Sequence, residues 1–174
     1  LFARARTLGL RTSLDFAYPD PTSDAGRADW PAFFARVLPH VDLFTPSLDE
    51  LLAMLRLPPP DPATSDEACV VTTLSPLASR LFAAGCPCVA IKLGSRGLFA
   101  ALAPDAARVA AACPAWAKDA GRSFHTPCYQ VTVAGTTGAG DTTVAGLLAG
   151  LLADEPIETA LDLATAVGAC CVEA

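Results

Sequence analysis

Behind Asp29, apolar Trp30, Phe33, Phe34 and Val37 recur at helical spacing, and Asp29 can cap the helix they predict through Leu38. Ser47 opens a second helix ending near Leu55, a third covers 75–84 up to Gly85, and two more cover 142–153 and 157–172. Residues 1–8 read as the end of a helix that Gly9 stops, without an initiating methionine, as expected of a piece of a longer protein. Short apolar runs at 11–15, 41–45, 88–93 and 129–133 predict strands. Gly94-Ser95-Arg96-Gly97 turns the third of them into 98–101, a hairpin. Residues 18–26, 57–62 and 136–140 read as loops, and 114–127 as irregular. Strands alternating with helices predict an α/β fold with a mostly parallel sheet.

Composition narrows the class. The chain has 174 residues, enough for one domain, with 52% hydrophobic and 17% charged positions. That apolar content excludes disorder. The uncharged run at 142–153 is too short for the ~20 residues of a membrane span, so no membrane partner is expected. A net charge of −6, with only Lys92 and Lys118 as lysines, argues against nucleic acid. Arg4, Arg6 and Arg11 break any signal-peptide core. Seven cysteines in no zinc-like spacing read as buried free thiols in a reducing cytoplasm.

The chemistry concentrates between a strand and a helix, in Gly135-Thr136-Thr137-Gly138-Ala139-Gly140-Asp141-Thr142. The spacing is that of a P-loop, but Asp141 stands where the lysine belongs. Small residues let N–H groups converge at a helix N-terminus, which suits an anion. A carboxylate at the rim of such a cradle suits a base that deprotonates an alcohol beside a phosphate. A tight strand-to-helix turn with an N-terminal Asp accounts for the same residues without chemistry.

The stretch from Gly135 to Asp141, continued by Thr142-Thr143-Val144-Ala145-Gly146-Leu147, resembles the C-terminal signature of PfkB carbohydrate kinases, D-T-x-G-A-G-D. Only its first position differs. Ile91-Lys92-Leu93-Gly94-Ser95-Arg96-Gly97 is similar to the family's T-L-G-x-x-G nucleotide segment, and Pro46-Ser47-Leu48-Asp49-Glu50 to its P-N-x-x-E segment. Order and spacing agree across most of the chain.

The resemblance implies a ribokinase-like three-layer α/β/α fold, with residues 1–174 as its C-terminal, nucleotide-facing portion and the N-terminal substrate and lid portion absent. It implies transfer of the γ-phosphoryl group of ATP, with Mg2+, to a hydroxyl of a sugar or sugar-like metabolite. Asp141 would be the general base, and the N–H groups of Gly138, Ala139 and Gly140 the anion hole. Lys92, Leu93, Gly94, Ser95, Arg96 and Gly97, with Ser47 and Gly140, would lie against the nucleotide. Glu50 would help position the magnesium–phosphate assembly. A homodimer contact, as in relatives, would come through the lid. A nucleoside or vitamin kinase of the same fold, and a silent nucleotide-binding module left by truncation, are the alternatives.

Three positions depart from the pattern. Ser47 replaces the usual Asn and Lys92 the usual Thr, as in a branch of similar sugar kinases with P-S-x-x-E and K-x-G. Gly135 replaces the signature's first Asp, which in potassium-activated relatives helps hold a monovalent cation, so that ligand is missing. Local structure also accounts for some of these residues. Ser47-x-x-Glu50 is a capping box. Lys92 ends a strand facing the ligand crevice, where a phosphate contact and a salt bridge fit equally. Asp15 ends another and reads foremost as a loop-capping carboxylate; His40, His125, Trp30 and Trp116 read as structural.

Overall fold

A computed structural model describes residues 1–173. Among them five strands form one sheet whose spatial order follows the chain: β1 Ser13–Leu14, β2 Leu43–Phe44, β3 Cys88–Lys92, β4 Leu98–Leu102 and β5 Ser123–Thr126. β1, β2 and β3 run parallel, as the alternation predicts, whereas β4 forms the expected hairpin with β3 and β5 then pairs antiparallel with β4. The helices are α1 Phe2–Thr7, α2 Asp24–Arg27, α3 Trp30–Val37, α4 Leu48–Leu55, α5 Asp66–Cys69, α6 Ser75–Ala83, α7 Ala106–Ala112, α8 Ala139–Leu152 and α9 Ile157–Glu173.

Alternate residues of a strand face opposite sides, and this sorts the core into two halves. Val89, Ile91, Phe99 and Ala101 pack with Phe44 against the buried sides of α3, α4 and α6. Cys88, Ala90, Leu98, Ala100 and Leu102 pack against α7, α8 and α9, together with Trp116. The result is the three-layer α/β/α arrangement. Trp30 and Trp116 are buried packing residues.

The expected caps form. The Asp29 carboxylate accepts the Ala32 N–H at 3.0 Å, and α3 buries Trp30 and Phe34. The helix expected over 75–84 begins earlier, at α5, because the Ser65 hydroxyl caps it through the Ala68 N–H. Pro76, which lacks an N–H and crowds the preceding turn, follows a widened π-turn at Val70–Leu74. α7 was not expected from periodicity; its alanines give no apolar contrast, although Asp105 caps it.

Two expectations are corrected. Residues 129–133 form no strand, and Tyr129 and Val133 are exposed: β5, inside the stretch read as irregular, has already taken the edge of β4. The cysteines are not all buried. Cys69, Cys86, Cys88 and Cys113 are, whereas Cys128 and Cys170 are exposed and Cys171 is intermediate. No helix among the described residues is long and apolar enough to cross a membrane.

α8 and α9 cross closely because glycine and alanine meet there. A Cβ at Gly146 would lie 2.9 Å from the Ala164 Cα, and one at Gly150 would lie 2.7 Å from the Ala160 Cβ. Backbone therefore packs on backbone, and α9 fixes where α8 begins.

Candidate active site

The three parallel strands end on one side of the sheet, and each delivers a polar residue there. Asp15 follows β1, Ser47 lies just beyond β2, and Lys92 closes β3. Ser47 and Lys92 are bridged in parallel register, and the Lys92 N–H donates to the Pro46 carbonyl at 2.9 Å. Lys92 Nζ reaches both oxygens of Asp15, at 2.6 and 2.8 Å. The salt bridge weighed for Lys92 therefore exists. Asp15 is more than a loop cap, although its Oδ1 also accepts the Phe16 N–H at 2.9 Å.

The Lys92 side chain continues to the head of α8. Its Nζ lies 3.6 Å from where a Cβ of Gly140 would stand, and its Cδ 3.8 Å. Gly138 precedes the helix at φ +82°, a left-handed conformation that favours glycine, and no side chain caps the end. The first-turn N–H groups of Gly140 and Asp141 have no acceptor within the helix. The Ala139 N–H, one of the three expected anion donors, is held by the Thr136 carbonyl at 3.2 Å, a contact an anion would have to take over. Asp141 lies exposed in the first turn.

α9 steadies this loop from below. The Val172 carbonyl accepts the N–H groups of Ala134 and Gly135, at 2.7 and 3.3 Å. The Cys171 thiol faces the Thr137 carbonyl at 3.7 Å.

The capping box at α4 is complete. Glu50 Oε2 accepts the Ser47 N–H at 2.7 Å, and the Ser47 hydroxyl accepts the Glu50 N–H at 3.2 Å. One Glu50 oxygen is thus spent on the helix. Among the described residues no cluster of three or more His, Cys, Asp or Glu side chains could hold a metal on its own.

Leu93, Gly94, Ser95 and Arg96 form a tight turn beside Lys92, closed by Gly97. Gly97 has φ +95°, and a Cβ there would run into the Thr126 carbonyl, so packing against the end of β5 already requires this glycine. The Gly94 carbonyl accepts the Cys128 thiol, and His125 Nε2 bonds the Arg96 carbonyl at 2.8 Å, the structural role expected of it. Arg96 pairs with Asp66 at 2.6 Å, and that bond raises the guanidinium pKa; α5, missed from periodicity, supplies the partner.

The structure thus brings Asp15, Ser47, Lys92 and Gly140 together, with Glu50 joined through Ser47. Asp15 is the member that sequence reasoning set aside, and its partner lies 77 positions away. The site is an open rim. Two grooves, of about 430 and 360 Å³, lie elsewhere, one between Arg6 and Arg108 and one along Pro58–Pro60. Neither is lined by a residue of the rim.

A family profile described as pfkB family carbohydrate kinase matches residues 18–174. Solved structures with the same fold include aminoimidazole riboside kinase from Salmonella enterica, at 24% identity and a TM-score of 0.67 over 99% of this chain and 49% of that one. Arabidopsis thaliana ribokinase, complexed with ribose and ATP, gives 19%, 0.70, 99% and 45% in the same order. Phosphofructokinase-2 from Escherichia coli, in complex with substrates and products, gives 18%, 0.67, 99% and 44%. The chain spans about half the length of these proteins. No curated protein matches it.

Proposed function

The chain belongs to the pfkB family of carbohydrate kinases, and from that premise we propose that it is the nucleotide-facing, catalytic portion of an ATP-dependent kinase for a hydroxyl of a sugar or sugar-like metabolite. The observation that carries this reading is the meeting of Lys92 with the uncapped head of α8 at Gly140, directly before Asp141. A cation and unpaired backbone donors there suit a transferring phosphoryl group, and the carboxylate suits its alcohol acceptor.

In this reading Asp141 takes the acceptor's proton as the hydroxyl oxygen attacks the γ-phosphorus of ATP, whose bond to the β,γ-bridging oxygen breaks so that ADP leaves. The loop N–H groups and Lys92 stabilise charge on the phosphoryl oxygens, and the Leu93–Arg96 turn lies against the nucleotide. Magnesium ordinarily uses one or two carboxylates together with phosphates and water, so the uncommitted Glu50 oxygen fits it where a full protein cage is absent. When bound it would neutralise phosphate charge. The acceptor pocket and lid, with any dimer contact made through the lid, belong in this reading to chain outside these residues; coverage of about half of each similar structure supports that division. Seven free thiols support a cytoplasmic location.

The test is Asp141→Asn in the complete protein. Turnover should fall about 10²–10⁴-fold, the usual contribution of a general base, with nucleotide affinity nearly unchanged. Turnover at the wild-type rate would refute the assignment.

A further inference from the structure

We infer that Asp15 is a positioning residue for phosphate recognition: it holds the Lys92 ammonium across Gly140 at the head of α8, where the lysine adds a side-chain cation to the loop's backbone donors. The inference rests on the kinase reading above and extends it to a residue outside the family motifs described here.

The location of the pair is what needs explaining. A lysine at a helix N-terminus opposes the helix dipole, which favours anions there. Lys92 nevertheless lies along that end, with its side chain only 13% exposed. Asp15 offsets the conflict by taking two hydrogen bonds from the ammonium, at 2.6 and 2.8 Å. An ammonium has three donors, so one remains for a ligand.

Asp15 is itself fixed. Its Oδ1 accepts the Phe16 N–H, and the Phe16 ring packs edge-on against Trp30 at 5.2 Å and Phe44 at 5.9 Å. The carboxylate is thereby tied to the core cluster beneath the sheet, and the lysine to the carboxylate. A flexible four-carbon stem becomes a directed cation, which lowers the ordering cost on binding. Asp15 touches no phosphate in this scheme; it acts through Lys92.

Binding of inorganic tripolyphosphate, and of ATP with magnesium, tests this by calorimetry on the complete protein at fixed ionic strength. Lys92→Met should weaken tripolyphosphate binding by about tenfold or more, the loss of one charge-assisted contact. Asp15→Asn, nearly isosteric, should weaken it by roughly three- to tenfold, and Asp15→Glu should recover part of that loss. The double variant should bind no more weakly than Lys92→Met alone, because Asp15 acts only through the lysine.

A pair that merely holds the fold together would give a lower Tm in Asp15→Asn with unchanged affinity below that Tm. That result overturns the inference, and so does tighter binding, the sign of a carboxylate that only repels phosphate. Wild-type protein that fails to bind tripolyphosphate overturns it as well. The kinase reading fails on a separate observation, full turnover by Asp141→Asn, which Asp15 does not enter.

Discussion

Gly150→Ala tests whether the α8–α9 contact positions the loop before Asp141. The new Cβ would stand 2.7 Å from the Ala160 Cβ and 2.8 Å from the Ala160 Cα. Carbon atoms rest about 3.5–4.0 Å apart, so the helices must separate by roughly 1 Å. Neither obstructing atom can rotate away, since one is backbone and the other is fixed to it. Overpacking with neither atom able to move aside falls in the upper part of the usual range, about 2–3 kcal/mol. Replacing a mid-helix glycine by alanine returns about 1 kcal/mol. The net loss is about 1–2 kcal/mol, which in a domain of this size lowers Tm by about 3–6 °C. Because α8 carries the loop at its head, a shift of about 1 Å should also cost on the order of 10² in turnover. Thermal melts followed by circular dichroism, beside steady-state kinetics of the complete protein, measure both. Gly135→Ala is the control: nothing lies within 4 Å of its Cβ position, and its Tm should stay within about 1–2 °C. A Gly150→Ala melt at or above wild type would show that the two helices yield freely, and the argument for a fixed loop would fall.

Gly97→Ala should destabilise by about 2 kcal/mol or more, because a side chain at φ +95° would be driven against the Thr126 carbonyl; an unchanged urea midpoint would refute this. Burial pushes the Cys86 thiol up to about 12 from 9.0. The unfolded thiol therefore ionises first, so this contribution is complete below pH 9 and should be lost between pH 9 and 12. Cys86→Ala should flatten that part of a Tm–pH curve. Iodoacetamide should label exposed Cys128 and Cys170 before unfolding and buried Cys69, Cys86, Cys88 and Cys113 only after it. Potassium should stimulate turnover weakly or not at all relative to sodium at matched ionic strength, because Gly135 supplies no carboxylate; a several-fold saturable stimulation would refute this.

Local signals carried furthest where the chain satisfies its own hydrogen bonds. Asp29 caps α3, and the Ser47–Glu50 box forms at α4, both as their spacing implies. α7 escaped notice because a nearly all-alanine helix shows no apolar face, though Asp105 before it was a usable cap signal. The alternating run from Tyr129 to Val133 has the rhythm of a strand without a neighbour to pair with, and strand formation depends on that neighbour. In the site, the loop glycines and Asp141 could be read together as the head of one helix because they are contiguous. The Asp15–Lys92 contact could not, since it is made across 77 positions by the parallel packing of β1, β2 and β3. Gly97 illustrates a different gap: its motif reading is nucleotide contact, whereas the turn against β5 requires the glycine on packing grounds alone.

Each strand of the sheet lies beside the one made just before it. A chain emerging from the ribosome can therefore add β2 to β1, the β3–β4 hairpin to β2 and β5 to β4 in turn, without threading a late strand between earlier ones. Among the described residues α8 and α9 follow the sheet strands in the chain, and the Val172 carbonyl that anchors the loop lies near the end of α9. These five strands can then pair before the 134–138 loop has its support from α9. An interrupted translation product would present a sheet with one face uncovered, including Leu98, Ala100 and Leu102, which belong under α7, α8 and α9. Such a nascent species is a natural client for a chaperone that binds apolar surface, and α9 is the piece whose arrival ends that exposure.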